Sequence, residues 1–205
     1  MNFELFHTDD IRVEYCDGTR RDIQRVLDDC REERRPYLVI KNDELRIKND
    51  SPADTENHSK FKIQNSKLTS ILVPVSMLEE EVYKAEICTY LARKTGAHLI
   101  LLRARDYGSK AKQNMERIIT HIQTIAERTG KKISYEEQVA KRDSFSFHKD
   151  FHSKEWQHDL LLLTASREYG LDDWLFGPPE LYAIRHSQVP VMLVNPRADL
   201  FSLCD

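Results

Sequence analysis

The chain has 205 residues, of which 40% are hydrophobic and 32% are charged. A chain of this length can bury one sizeable core, so we expect one full domain with a smaller appendage, or at most two small domains. The 31 basic and 34 acidic residues give a formal net charge of −3, which excludes a general electrostatic attraction for nucleic acid or anionic lipid. We therefore expect no nucleic-acid partner.

The apolar runs, of which Leu160 to Leu163 is typical, are far shorter than the roughly 20 residues of a membrane-spanning helix. Residues 1–10 lack the basic and apolar regions of a secretory signal. The cysteines at positions 16, 30, 88 and 204 show no Cys-x-x-Cys spacing, so neither a zinc ribbon nor a disulfide framework is indicated. We expect a soluble cytoplasmic protein with reduced thiols and no direct membrane insertion.

A polar segment divides the chain into two unequal parts. Residues 49–60 contain strong turn formers and no large apolar side chain, which indicates a linker or a long loop. We therefore predict four regions, which are an appendage at 1–48, a linker at 49–66, a main domain at 67–197 and a C-terminal tail at 198–205.

The appendage is predicted to be β-α-β-β. Alternating apolar residues indicate a first strand (Ile11, Val13 and Tyr15), and Thr19 followed by Asp22 marks a capped helix start. The apolar spacing predicts a helix over about 19–34, followed by strands at Tyr37 to Lys41 and at Leu45 to Lys48. Because this region would bury little surface alone, we expect it to pack on the main domain or on a partner.

In the main domain, strands alternate with helices, the pattern of a parallel sheet covered on both faces. Two long helices are predicted to end at Thr95-Gly96 and at Thr129-Gly130, and a short one to cover Pro179 to His186. The predicted strands are Thr69 to Val75, His98 to Arg103, Lys132 to Ala140, Asp159 to Ala165 and Val189 to Val194.

Four segments in this order, SILVPVS, TGAHLILLRA, HDLLLLTASR and IRHSQVPVMLVNP, resemble the universal stress protein family over about residues 68–197. The resemblance implies an α/β fold with a doubly wound, five-stranded parallel sheet. It also implies a homodimer in which the last strand pairs across a two-fold axis through Val189, Val191 and Leu193. An apolar edge strand left open would invite aggregation, which gives such a dimer a physical reason.

ATP-binding members of that family carry a Gly-x2-Gly-x9-Gly-Ser/Thr loop after the fourth strand and an aspartate after the first. Here residues 165–168 read Ala-Ser-Arg-Glu, Gly177 is followed by Pro178, and Ser76 replaces the aspartate. Glu168 adds negative charge, and proline removes a backbone donor where phosphate would lie. Only six glycines occur in the chain, where average usage gives about fourteen. We predict that the chain has no cofactor and that ATP binding is disfavoured.

Open α/β sheets bind ligands outside the carboxyl ends of their strands. This rule predicts a crevice lined by Val75, Ser76, Arg103, Thr164, Ala165, Ser166 and Gly177, with Arg167 as a candidate anion ligand. An equally weighted alternative fills the crevice with the chain's own aromatic side chains, for which Tyr169, Trp174 and Phe176 are available.

Two further chemistries are weakly indicated. The spacing of His148 and His152 suits a metal-binding helix face, and His158 follows nearby, but no His-Glu-x-x-His motif or neighbouring cysteine supports them. Ser166 lacks the small flanking residues of a nucleophile elbow. We therefore predict neither a metal site nor catalytic residues.

The leading functional hypothesis is a non-enzymatic stress-response or regulatory module, dimeric and acting on an unidentified protein partner. One alternative is a nucleotide-binding protein with slow ATPase activity that uses Arg167 and Gly177. A second alternative is a cytosolic regulatory domain associated with a membrane transporter.

Overall fold

The computed structural model describes residues 11–33, 35–41, 68–76, 81–106, 108–166 and 178–195. The strands are Arg12–Cys16 (β1), Tyr37–Lys41 (β2), Ser70–Val75 (β3), His98–Arg103 (β4), Tyr135–Val139 (β5), Leu160–Thr164 (β6) and Val191–Val194 (β7). The α-helices are Arg20–Glu33 (α1), Glu81–Thr95 (α2), Ser109–Thr129 (α3) and Pro179–His186 (α4), and Phe147–Asp150 forms a 3-10 turn. None of the described helices is both long enough and apolar enough to cross a membrane.

All seven strands form one sheet in the order β1-β2-β7-β6-β3-β4-β5. Strands β3 to β7 pair only in parallel with one another, which confirms the predicted doubly wound sheet of five parallel strands. Helices α2 and α3 cover one face, while α1 and α4 cover the other. The order in which successive strands are added reverses at β3, because β4 and β5 lie on one side of it and β6 and β7 on the other.

The long helices of the main domain end at the predicted glycines. Gly96 and Gly130 follow α2 and α3 with φ angles of 76° and 65°, the left-handed conformation that glycine adopts without strain. Along α2, the side chains of Ala85, Cys88 and Leu91 are buried, and they pack on the apolar face of the central strands.

The first three elements of the appendage are also confirmed. Thr19 Oγ1 accepts a 3.3 Å hydrogen bond from the backbone N–H of Asp22, which is the predicted capping contact of α1. The buried side of α1 packs on the sheet through Ile23, Val26, Leu27 and Cys30. The predicted strand at Leu45 to Lys48, the linker and the C-terminal tail lie outside the described residues.

The expectation that the last strand has an open edge for a dimer is wrong. β2 pairs antiparallel with β7, with Tyr37 opposite Leu193 and Val39 opposite Val191, while Val189 precedes the strand. The cause is that residues 37–40 are apolar on both faces and at most 2% exposed, the pattern of an internal strand. The appendage thus extends the sheet to seven strands and covers the edge of β7.

The junction between β2 and β7 has a local two-fold arrangement centred on Leu38 and Met192, which lie opposite each other. On one side β2 is flanked by its parallel partner β1, and on the other β7 is flanked by its parallel partner β6. The connecting helices α1 and α4 lie on the same face of the sheet and contact each other. Two β-α-β units therefore meet edge to edge.

Candidate functional site

The carboxyl ends of β3 and β6 and the start of α4 enclose a cavity of about 170 Å³, called here the carboxyl-end crevice. It lies where the strand order reverses around β3, which is the ligand-binding position of open α/β sheets. Three of the predicted residues, Ser76, Thr164 and Ser166, line it. The hydroxyl oxygen of Thr164 is buried and has no hydrogen-bond partner in the part of the chain that the structure describes.

The other predicted residues are placed differently. Val75 and Ala165 are 1% and 2% exposed and belong to the cores on opposite faces of the sheet. Arg103 ends β4 and is not among the described residues that line the crevice. Arg167 and Gly177 lie outside the described residues, as do the aromatic candidates Tyr169, Trp174 and Phe176.

A carboxylate of the chain itself occupies the start of α4. Glu180 is 5% exposed, and its Oε1 accepts hydrogen bonds of 2.5 Å from both the backbone N–H and the hydroxyl of Ser166. A negative group is favourable at a helix N-terminus, and bonds to a carboxylate are stronger than neutral ones. The backbone N–H and the hydroxyl of Ser166, which could otherwise bind an anion, are therefore already hydrogen-bonded to Glu180.

The two prolines before Glu180 further reduce the number of backbone N–H donors at the start of α4. Pro178 caps α4 and Pro179 is its first residue, and neither has a backbone N–H. Sequence reasoning anticipated the effect of these prolines but missed Glu180. The available signal was an acidic residue in the first helical turn, which is stabilising for the helix in any fold.

Lys84 of α2 brings a positive charge to the same crevice. It is 2% exposed, and its ammonium donates to the carbonyl oxygen of Pro74 in β3. A lysine buried to this extent is rare unless its charge is paired or hydrogen-bonded. The sequence carries a signal for this position, because Lys84 precedes Cys88 and Leu91 by four and seven residues and so lies on the apolar stripe of α2.

Aromatic side chains form part of the lining of the crevice. Phe147 and Phe151 pack edge to face with ring centroids 5.0 Å apart, and Phe145 lies at the mouth with 91% of its surface exposed. Asp150 fixes this segment, because its buried carboxylate accepts a 2.9 Å hydrogen bond from the Arg142 N–H and pairs with the Arg142 guanidinium. Three phenylalanines of the chain itself therefore line the crevice.

The three histidines singled out by spacing do not share one site. His148 lines the carboxyl-end crevice and packs on Tyr182 with ring centroids 5.0 Å apart, whereas His152 and His158 line a separate cavity. Across the described residues, no three histidine, cysteine, aspartate or glutamate side chains are grouped so that they could hold a metal ion. The absence of a metal site remains a prediction for the whole chain.

No protein-family model and no curated protein sequence matches the chain. Among solved structures, a universal stress protein from Archaeoglobus fulgidus superposes with a TM-score of 0.60 at 14% identity, covering 94% of this chain and 63% of that one. A universal stress protein in complex with cAMP superposes with a TM-score of 0.51 at 14% identity, covering 64% of this chain and 99% of that one.

The chain therefore spans less than two thirds of the length of the Archaeoglobus protein. At such low identity the likeness concerns the arrangement of strands and helices and not the chemistry of the crevice. The chain has the fold of the universal stress proteins.

Proposed function

We propose that the chain is a non-enzymatic regulatory module of the universal stress protein fold, in which the carboxyl-end crevice does not bind ATP. The observation that carries this proposal is the Glu180 carboxylate, which accepts both the backbone N–H and the hydroxyl of Ser166. A phosphate in this position would have to displace a buried, hydrogen-bonded carboxylate or lie beside it, and like charges in a site of low dielectric repel strongly.

The size and lining of the crevice support the same conclusion. Its volume is about 170 Å³, whereas pockets for drug-sized ligands occupy about 300–1,000 Å³. Phe147 and Phe151 line the crevice with apolar surface, and the prolines at the start of α4 provide no N–H groups for phosphate. These features disfavour ATP as a ligand of the crevice.

Isothermal titration of the full chain with Mg·ATP, and separately with cAMP, tests the proposal. We expect no saturable heat from either nucleotide and no ATP hydrolysis. Glu180→Gln removes the charge at nearly constant shape and should raise any residual phosphate affinity, whereas Glu155→Gln, which changes an exposed glutamate, is the matched control. Micromolar ATP binding by the wild-type chain would overturn the proposal. Loss of that binding in Arg167→Ala would support the nucleotide-binding alternative.

A regulatory role requires a protein partner, and we propose that the partner contacts the chain elsewhere than at the edge of β7. That edge is covered by β2, so the proposal does not include a dimer through the last strand. Co-purification of a transporter from membranes would favour the second alternative.

A further inference from the structure

Three histidine rings lie next to the ring of Tyr182 in α4, and a fourth histidine lies close by. His186 stacks on the Tyr182 ring with centroids 4.0 Å apart, and His148 packs on it edge to face at 5.0 Å. His152 lies 6.2 Å from the Tyr182 ring and 6.3 Å from the ring of His186. His158 lines one cavity together with His152 and His186. We call His148, His152, His158 and His186 the histidine cluster.

The histidine cluster connects two elements that line the carboxyl-end crevice. His148 and His152 belong to residues 147–152, called here the crevice segment, which contacts α4. This segment contributes Phe147, His148 and Phe151 to the lining of the crevice, and the first turn of α4 contributes to the same lining. The contact between the crevice segment and α4 therefore sets the width of the crevice.

Cationic groups face the histidine cluster from several elements. The charge of Lys41, at the end of β2, disfavours a charge on His152, and the charges of Lys149 and Arg142 disfavour one on His148. The other three rings of the cluster also disfavour a charge on His152. A proton added to one ring would therefore meet positive neighbours on β2, on α4 and within the crevice segment.

The carboxylates near the cluster already have partners. Asp159 favours a charge on His158, but its Oδ2 accepts three hydrogen bonds from Thr69 and Ser70. The other carboxylates on the adjoining chain or in the crevice are bound outside the cluster, Asp150 by Arg142, Glu155 by Lys141 and Glu180 by Ser166. Among the described residues, the charged groups that act most on His148 and His152 are therefore all basic.

Burial adds to the cost of a charge on these rings. The Nε2 atoms of His152 and His158 are buried without a hydrogen-bond partner in the part of the chain that the structure describes. A protonated imidazole carries an N–H at both ring nitrogens, so either charged ring would bury a donor that has no acceptor. Burial lowers the pKa of His152 to about 4 and also lowers the pKa of His148 and of His158. The packed arrangement therefore holds these rings neutral near pH 7.

We propose that the histidine cluster is a pH-sensitive switch, in which protonation in mild acid releases the crevice segment from α4 and widens the carboxyl-end crevice. Release exposes the rings to water, where a histidine takes up a proton near pH 6.5. Protonation and release therefore stabilise each other. The open form remains a minor population, because Phe147 and Phe151 leave the core when it forms. The switch does not depend on which ligand the crevice binds.

Hydrogen exchange of the full-length chain tests the proposal. The reporters are the amides of Lys149 and Ser153, which donate to the carbonyl oxygens of Ser146 and Asp150 at 3.0 and 2.9 Å. After correction for intrinsic exchange, their protection should fall by about thirtyfold between about pH 7.5 and pH 5, because the pKa of His152 rises from about 4 to 6.5 on release. The amides of β6 should keep their protection.

Variants locate the effect in the histidine cluster. His152→Gln removes one site of protonation and should reduce the fall in protection to less than about fivefold. His148→Gln replaces it if circular dichroism shows that the first variant is unfolded. His121→Gln is the matched control, because His121 on α3 is also partly buried with a lowered pKa but lies outside the cluster. Unchanged protection in acid, an equal loss in β6, or an effect that the cluster variant retains or the control removes would overturn the proposal.

Thiol labelling tests the crevice itself. In a Cys204→Ser background, Leu163→Cys places a thiol in the lining of the crevice, and Leu161→Cys, at a fully buried position of the same strand, is the matched control. Relative to free cysteine, dithiodipyridine should label the crevice variant faster at pH 5 than at pH 7.5 and should leave the control unlabelled. Equal relative rates at the two pH values would overturn the proposal.

Discussion

The side-chain amide of Asn195, directly after β7, donates a 2.7 Å hydrogen bond to the carbonyl oxygen of Cys30 in the last turn of α1. Lys41, at the end of β2, makes the reciprocal contact, because its Nζ lies 3.0 Å from the carbonyl oxygen of Arg185 in the last turn of α4. The last carbonyls of a helix have no partner within the helix. Each β-α-β unit therefore satisfies a helix-end carbonyl of the other across the β2–β7 junction.

Replacing Asn195 with leucine should lower the free energy of unfolding by about 1–3 kcal/mol, because the Cys30 carbonyl is left buried without its donor. Asn195 is 1% exposed, so water cannot easily take its place. Lys41→Met is the matched control, and since its contact is exposed it should change stability by no more than about 0.5 kcal/mol. Urea unfolding measures both variants, and equal losses would contradict the prediction.

Leu38→Glu should detach the appendage from the sheet. Leu38 is fully buried at the centre of the β2–β7 pairing, and an unpaired carboxylate there should cost at least about 3 kcal/mol. The edge of β7 then becomes free to pair with another chain, so we expect concentration-dependent association in sedimentation experiments.

Tyr15→Glu is the control for this experiment, because Tyr15 lies on β1, is 51% exposed and should tolerate the charge. The wild-type chain should not associate through β7. Cross-links that join β7 strands of two wild-type chains would show that β2 does not hold its place in solution.

Much of the fold follows from local patterns. The continuous apolar run of β6 predicts a strand buried on both faces, and Gly96 and Gly130 predict the ends of α2 and α3. The same pattern occurs in β2, whose residues 37–40 are all buried, and it indicates an internal strand. Its antiparallel partner β7 lies far along the chain, however, and no local signal selects that pairing.

The candidate site was also only partly predictable, because some of its residues are brought together from distant parts of the chain. Ser76, Thr164 and Ser166 follow from the rule that ligands bind at the carboxyl ends of strands. Lys84 and Glu180 enter the crevice because of how α2 and α4 pack, and the contact of Glu180 with Ser166 joins residues 14 positions apart in the sequence. The spacing places Lys84 on the apolar stripe of α2, but no spacing shows that its side chain and that of Glu180 line the same crevice.

The cysteines Cys16, Cys30 and Cys88 should be unreactive in the folded protein. All three are free and buried, and burial raises their pKa values to about 11, 12 and 12, so almost no thiolate, the reactive form, exists near neutral pH. In a Cys204→Ser variant, Ellman's reagent should detect these thiols only after urea is added. Rapid reaction of the native protein would show that β1, α1 or α2 opens readily.

Stability should decline in mild acid because of His152. Desolvation, followed by repulsion from His158, His186, Lys41 and His148, lowers the pKa of His152 from 6.5 to about 4. The unfolded chain therefore binds the proton at a higher pH than the folded chain. The contribution of the neutral His152 ring to folding stability is complete above pH 6.5 and is lost progressively as the pH falls toward 4.

Urea unfolding at a series of pH values across this window measures the effect. His152→Gln should flatten the dependence, although a smaller slope remains because the pKa of His158 is also lowered by burial. A direct NMR titration of the His152 ring should give a midpoint well below 6.5. An ordinary midpoint, or equal slopes for the variant and the wild type, would mean that the His152 ring is solvated in the folded protein.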